Sequence, residues 1–218
     1  MSDDHRAKHM IHEIRWHGRG GQGAVTAAHA LAEAAFFEGY AGVTSVPAFG
    51  AERRGMPVSA STRFAPQIIR TYSQIEMPDV VVVLDESLLE DPSITEGLKP
   101  KGWLIVNSTQ EPHRLQVNGD FNLATVDAAR VSGELGLLSG GLPLVNTAIL
   151  GAFSRATGLV GMGSIEEALR RRFNGSASDA NVNAAKITHQ RTILSPRSNG
   201  DTGNPGTNEY LRVPGYCR

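Results

Sequence analysis

The chain is 218 residues long, 40% apolar and 20% charged, which fits a folded α/β domain with or without an appended arm and excludes wholesale disorder, collagen and a coiled-coil fibre. Lys and Arg number 21 against 22 acidic residues, a net charge of −1, so no global basic field exists to hold nucleic acid or an anionic membrane. The single cysteine, Cys217, can neither close an internal disulfide nor by itself hold zinc or an iron–sulfur cluster, so any electron-transfer cluster is expected on another chain.

The start, Met1 to His9, is polar and mixed in charge with no apolar h-region, and no run of 18 apolar residues follows, so the sequence reads as that of a cytoplasmic protein. Ile11 to His17 alternates, with Ile14 and Trp16 on one face and Glu13 and Arg15 on the other, which predicts a strand. A glycine-rich turn comes next. From Ala24 to Glu38 the apolar residues Val25, Ala28, Leu31, Ala32, Ala35 and Phe36 recur at three- and four-residue steps, marking a helix that Gly39 ends. Ala41 to Val46 and Pro57 to Phe64 read as extended segments. The β-branched run Val80 to Leu84 predicts a parallel strand buried on both faces, as does Trp103 to Val106. A short helical crossover over Glu86 to Leu98 would make the pair a βαβ unit. Leu123 to Val126 adds a further strand, and Pro143 to Ala156 an apolar helix stopped near Gly158. Ser164-Ile165-Glu166-Glu167 reads as a capping box opening a helix that runs to Phe173. Beyond Asn174 the composition turns polar, and Ser195 to Glu209 holds almost nothing to bury. The expected organisation is one Rossmann-like α/β domain over residues 10–194, a mostly parallel sheet flanked by helices, with a C-terminal arm over 195–218 that docks on a partner.

Gly18-Arg19-Gly20-Gly21-Gln22-Gly23 contains G-x-G-x-x-G between a strand and a helix, the context of a dinucleotide fingerprint. Free N–H groups and the positive helix end suit a phosphate or another anion. The second strand, however, brings no Asp or Glu at the ribose position about 20 residues on, which counts against an ordinary NAD site. Two readings stay open: Gly18, Gly20, Gly21, Gln22 and Gly23 cradle an anion, or the turn merely packs helix on strand. A second unusual group is Glu52-Arg53-Arg54, framed by Gly50 and Gly55. It reads either as a solvated loop or as an anchor in which Glu52 orients Arg53 and Arg54 toward a carboxylate or phosphate. Arg170-Arg171-Arg172 reads as the basic end of a helix. No metal site is expected from the seven histidines, and no G-x-S-x-G elbow or cysteine nucleophile setting occurs.

Taken in order, the block Gly18 to Ala28, the block Glu52 to Val58, Pro78-Asp79 with Val80 to Asp85, and Val145-Asn146-Thr147-Ala148-Ile149-Leu150-Gly151 resemble the gamma subunit of 2-oxoacid:ferredoxin oxidoreductases. The resemblance spans roughly Ile11 to Gln190 and includes the pyruvate, 2-oxoisovalerate and arylglyoxylate enzymes. It implies a holoenzyme in which thiamine diphosphate with Mg decarboxylates a 2-oxoacid, electrons leave through iron–sulfur clusters, and coenzyme A usually takes the acyl group. Those cofactors are expected on alpha, beta and delta-type partner subunits, with coenzyme A near this chain at the subunit interface. The acceptor is ferredoxin or a flavin/NAD subunit. The resemblance favours the anion reading of Arg53 and Arg54 and implies no catalytic residue on this chain. The alternatives are a stand-alone NAD(P)-binding oxidoreductase and a purely structural scaffold.

Overall fold

The computed structural model describes residues 11–47 and 55–197. Alternation in His12–Arg19 makes it strand β1, whose residues Ile14 and Trp16 are fully buried while Glu13, Arg15 and His17 lie on the other face. Helix α1 (Ala24–Glu38) follows and ends where Gly39, in the left-handed conformation, donates its N–H to the carbonyls of Ala35 and Phe36. Strands β2 (Gly42–Pro47) and β3 (Pro57–Ala65) pair antiparallel, and β3 pairs antiparallel with β1. The four-valine strand β4 (Val80–Val83), β5 (Trp103–Asn107) and β6 (Asn122–Val126) continue the sheet in parallel with β1. Helix α2 (Ala128–Glu134) leads to a two-stranded ribbon, β7 (Leu138–Ser139) and β8 (Leu142–Pro143). Three helices follow, α3 (Ile149–Thr157), α4 (Met162–Arg172) and α5 (Gly175–Arg191), before β9 (Ile193–Ser195) closes the far edge antiparallel to β6.

The sheet order β2-β3-β1-β4-β5-β6-β9 therefore has a parallel centre with antiparallel margins, the expected α/β architecture. One face is covered by α1 and by α3 to α5, which enclose Ile14, Trp16, Leu31, Ile105, Phe153 and Ile165. The alanines of α1 let the helix lie close to the sheet. There the Trp16 Nε1–H donates to Thr62 Oγ1 at 3.0 Å, and Thr62 Oγ1 donates to the Ala28 carbonyl at 3.0 Å, joining β1, β3 and α1. Each such bond contributes about 1 kcal/mol, and removing one partner would leave a buried polar group unmet. A smaller apolar cluster, including Val81, Val83, Leu104 and Val106, occupies the other face of β4 and β5.

Three expected elements differ in detail. The crossover between β4 and β5 consists of two 3₁₀ turns, Glu86–Glu90 and Pro92–Ile94, with no α-helix. The side chains of Asp85 and Asp91 accept the N–H groups of Ser87 and Ser93, and Pro92 cannot continue a helix. Helix α3 starts at Ile149, well after Pro143, because Leu142–Pro143 belongs to the ribbon and Asn146 accepts the Thr147 N–H with its own side chain at 2.8 Å. The capping box at Ser164 is not used. Helix α4 begins at Met162, and the preceding Gly161 N–H is received by Glu38 Oε2 at 2.8 Å, from the end of α1. The three arginines that end α4 are paired: Arg170 with Glu166 and Asp179, Arg171 with Glu167, Arg172 with Glu33.

Candidate functional site

The glycine turn stands at the carboxyl end of β1, the edge of a parallel sheet where α/β folds receive ligands. Gly18 still pairs with Val58, and a Cβ there would lie 3.3 Å from Leu84 Cδ1 and 3.4 Å from Ala24 Cβ, so its bare Cα lets helix and strand close up. Gly20 is engaged in the same ladder: its N–H donates to the Met56 carbonyl at 2.8 Å and its carbonyl accepts the Gly55 N–H at 3.1 Å. The turn proper is then Gly21 (φ +95°), Gln22 and Gly23 (φ +80°), closed by a bond from the Gln22 N–H to the Arg19 carbonyl at 2.9 Å.

Gln22 folds back rather than reaching outward. Its Oε1 accepts the Arg19 N–H at 2.7 Å, and its Nε2 donates to Asp85 Oδ2 at 2.9 Å, just beyond β4. Arg19 closes the other side, with Nε 3.2 Å from Asp85 Oδ2, one terminal nitrogen donating to Ser87 Oγ at 2.7 Å and the other to the Gly55 carbonyl at 3.3 Å. Burial alone would raise the Asp85 pKa; the hydrogen bonds from Ser87 and Gln22 and the Arg19 charge outweigh it and hold the carboxyl below its usual range. The pair is partly exposed and contributes about 1 kcal/mol or less. Its consequence is geometric: it fastens the turn to the start of β3 and the end of β4.

The third wall comes from the segment before α3. A Cβ at Gly23 would fall 2.4 Å from Asn146 Nδ2, so the Asn146 side chain lies directly against the turn. Thr147 and Asn181 share a short side-chain hydrogen bond, and Asn181 Nδ2 donates to the Ala177 carbonyl at 2.7 Å, which ties this wall to α5. At the N-terminus of α1 no side chain among the described residues caps the first turn, and Gly23 is the N-cap. Around Gly21, among the described residues, no heavy atom outside its immediate chain neighbours lies within 4 Å of the place a Cβ would occupy. The arrangement is thus a pinned turn with one open side, above an uncapped helix end.

The structure places Gly18, Gly20, Gly21, Gln22 and Gly23 at the end of β1 and in the turn after it, while Glu52, Arg53 and Arg54 lie outside the described residues. The sequence reading missed the roles of Arg19, Asp85, Ser87 and Asn146. Asp85 and Asn146 sit inside the blocks that carried the family resemblance, which was their only signal. Among the described residues no group of three or more His, Cys, Asp or Glu is placed to hold a metal ion. No described helix is long and apolar enough to cross a membrane.

Fold and site together define a Rossmann-like domain that presents a rigid glycine turn at the carboxyl edge of its sheet. The chain belongs to the pyruvate ferredoxin/flavodoxin oxidoreductase family, which matches residues 13–190, and within it to the gamma subunits. It is 50% identical over 183 residues to the common gamma subunit of the pyruvate/ketoisovalerate oxidoreductases of Pyrococcus furiosus, covering 83% of this chain and 96% of that one. A pyruvate oxidoreductase subunit of Thermotoga maritima superposes with a TM-score of 0.74 at 36% identity, over 85% of this chain and 98% of that one. The same fold, at a TM-score of 0.63 and 19% identity, occupies 31% of a chain of the 2-oxoglutarate:ferredoxin oxidoreductase of Magnetococcus marinus, solved with 2-oxoglutarate, coenzyme A and succinyl-CoA bound. Membership in a family of multi-subunit oxidoreductases replaces the stand-alone NAD(P) reading.

Proposed function

We propose that this chain completes a thiamine-diphosphate-dependent 2-oxoacid oxidoreductase assembled with alpha, beta and delta-type subunits, and that its glycine turn lines the path of coenzyme A. The observation that carries the reading is the open side of Gly21 over the uncapped N-terminus of α1 in a chain of this family. In this reading Gly18, Gly20, Gly21 and Gly23 allow close backbone approach, Gln22 holds the turn's shape, and Arg53 and Arg54 supply positive charge for a phosphate of coenzyme A. Thiamine diphosphate with Mg, on partner chains, supplies the decarboxylation chemistry, and iron–sulfur clusters there carry electrons to ferredoxin or to a flavin/NAD subunit. The residues of this chain bind and orient, and exchange no electrons. We place the complex in the cytoplasm. The domain reading of 10–194 with an arm from 195 is retained, with the arm's first residues tied to the sheet: Ser195 pairs with Leu123, and the Arg197 N–H donates to Asn122 Oδ1 at 2.9 Å.

The test is Gly21→Val in the assembled enzyme. A β-branched residue at φ +95° costs roughly 1–2 kcal/mol in backbone strain but meets no neighbour among the described residues, so the chain is expected to fold and assemble. Coenzyme-A-dependent oxidation should fall more than tenfold, about 1.4 kcal/mol at the affected step. Arg53→Ala or Arg54→Ala should raise the KM for coenzyme A or weaken assembly by about 1.5–3 kcal/mol. Normal turnover of a folded, assembled Gly21→Val enzyme would assign the glycines to local packing alone.

A further inference from the structure

The sheet face turned away from α1 carries polar residues where β1 meets β3: Glu13, Arg15 and His17 on β1, opposite Arg63, Ser61 and Ser59 on β3. The chain after β3 passes over them, and the Ser73 carbonyl accepts a bond from Arg63 Nη2 at 2.7 Å. Between sheet and cover lies a cavity of about 280 Å³ lined by Arg15, Ser59, Ser61, Tyr72, Ser73 and Gln74, among others.

The two guanidinium groups beside it are paired unequally. Arg63 forms an ion pair with Glu13 at 2.8 Å. Arg15 donates to His17 Nε2 at 3.1 Å and to the carbonyls of Ile94 and Glu96 at 2.8 Å each. None of these acceptors carries a negative charge, and among the described residues no carboxylate forms an ion pair with Arg15. His17 is neutral at pH 7, because burial and then the Arg15 charge push its pKa down to about 4 against the pull of Asp91. Burial also lowers the Arg15 pKa, and the Glu96 charge offsets only part of that. This face therefore holds two guanidinium groups and one contacting carboxylate, and Arg15, with the Glu96 charge nearby but no carboxylate in contact, keeps the capacity to pair with an anion.

We propose that this cavity binds a phosphate-sized tetrahedral oxyanion through the Arg15 guanidinium and the Ser59 and Ser61 hydroxyls. Ser59 and Ser61 are two residues apart on one strand and so share a face with Arg15. Tyr72 and Gln74 place further donor groups on the opposite wall. Donors on both walls suit an ion whose oxygens point in four directions better than a planar carboxylate. Ser61 donates to the Val46 carbonyl at 3.3 Å, a long bond its hydroxyl can leave. The volume is near the lower end for small-molecule sites, roughly 300 Å³, enough for the ion and a short organic group. The site lies on the sheet face away from α1 and does not depend on the reading of the glycine turn.

The experiment titrates the full chain with inorganic phosphate, with glycerol phosphate and with acetate at constant ionic strength, reading thermal unfolding and phosphorus NMR line width. Phosphate is expected to raise Tm saturably and acetate to leave it unchanged. Arg15→Gln should weaken phosphate binding at least tenfold. Ser59→Val, a good strand residue that fills the cavity and leaves every Arg15 hydrogen bond in place, should do the same. Gly21→Val should bind phosphate as the parent does. Tighter binding of the monoester identifies a phosphorylated metabolite and tighter binding of the free ion identifies phosphate itself; either order supports the site. Absence of saturable binding, equal binding by the Arg15→Gln and Ser59→Val chains, or an equal response to acetate would overturn it. Loss in Gly21→Val with retention in Arg15→Gln would overturn it too, by moving the ion to the glycine turn.

Discussion

Histidine 17 lies on β1 between the glycine turn and the core of the sheet, where its Nε2 accepts a hydrogen bond from Arg15. That bond needs the ring neutral, and burial followed by the Arg15 charge lowers its pKa from 6.5 to about 4. The unfolded chain, with an ordinary histidine, therefore binds more protons than the folded one between these two values. Stability from this group is fully present above pH 6.5 and is lost as the pH falls through the folded value. The interval corresponds to about 3 kcal/mol at 1.36 kcal/mol per unit. Unfolding by denaturant at pH 7 and at pH 4 should show that loss in the parent chain. In His17→Gln, whose amide oxygen can accept from Arg15 but cannot titrate, the loss should shrink by a similar amount. Equal pH slopes in the two chains would mean that His17 is not held neutral. Asp85 is displaced in the same direction relative to its own reference, so it loses its contribution at still lower pH.

At the scale of elements, the contact of α3 with α5 depends on a missing side chain. A Cβ at Gly151 would lie 1.9 Å from the Ala185 carbonyl oxygen, 2.4 Å from Thr188 Oγ1 and 2.7 Å from the His189 nitrogen. Alanine in a helix gains about 1 kcal/mol over glycine, but overpacking costs about 1–3 kcal/mol, and a backbone carbonyl in a helix cannot swing aside. Gly151→Ala is therefore expected to destabilise by up to about 2 kcal/mol net. Gly163→Ala in α4, where a Cβ would meet nothing within 4 Å among the described residues, should be neutral or slightly stabilising. Chemical denaturation of both variants checks the pair, and a stabilised Gly151→Ala would show that the helices part freely. The same helices mark the limit of what the sequence disclosed. The strands Val80–Val83 and Trp103–Asn107 and the helix Ala24–Glu38 were legible because β-branched runs and glycine stops act locally. Helix α5 was not, because its buried side includes the polar residues Ser178, Asn181 and Thr188, of which Asn181 and Thr188 are satisfied by partners distant in the chain or by their own helix. Likewise the glycines of the turn were visible, whereas its fastening by Asp85 and Asn146 rests on residues far along the chain that only the fold brings together.

At the scale of the whole molecule, the chain belongs to a family of oxidoreductases and carries too few cysteines for an iron–sulfur cluster of its own. An iron–sulfur cluster takes four thiolates, or two with two histidines, and Cys217 is the only cysteine. No described group of His, Cys, Asp or Glu could hold a metal in its place. The glycine turn offers backbone groups and a helix end that no described side chain caps, suited in the proposed function to binding and orienting and unable to accept electrons. The purified full chain is therefore expected to show no visible iron–sulfur absorbance and no oxidation of any 2-oxoacid, with or without coenzyme A and an acceptor dye. Added to a complex prepared without its gamma subunit, the same preparation should restore activity in proportion to the amount bound. Because the chain carries a net charge of only −1, long-range steering contributes little, and the rate of that restoration should change less than tenfold between low and physiological salt. Reconstitution of stoichiometric iron and sulfide on the lone chain would contradict the argument from ligands. Activity of the lone chain would contradict the proposal that it binds and orients while partner chains carry the redox chemistry.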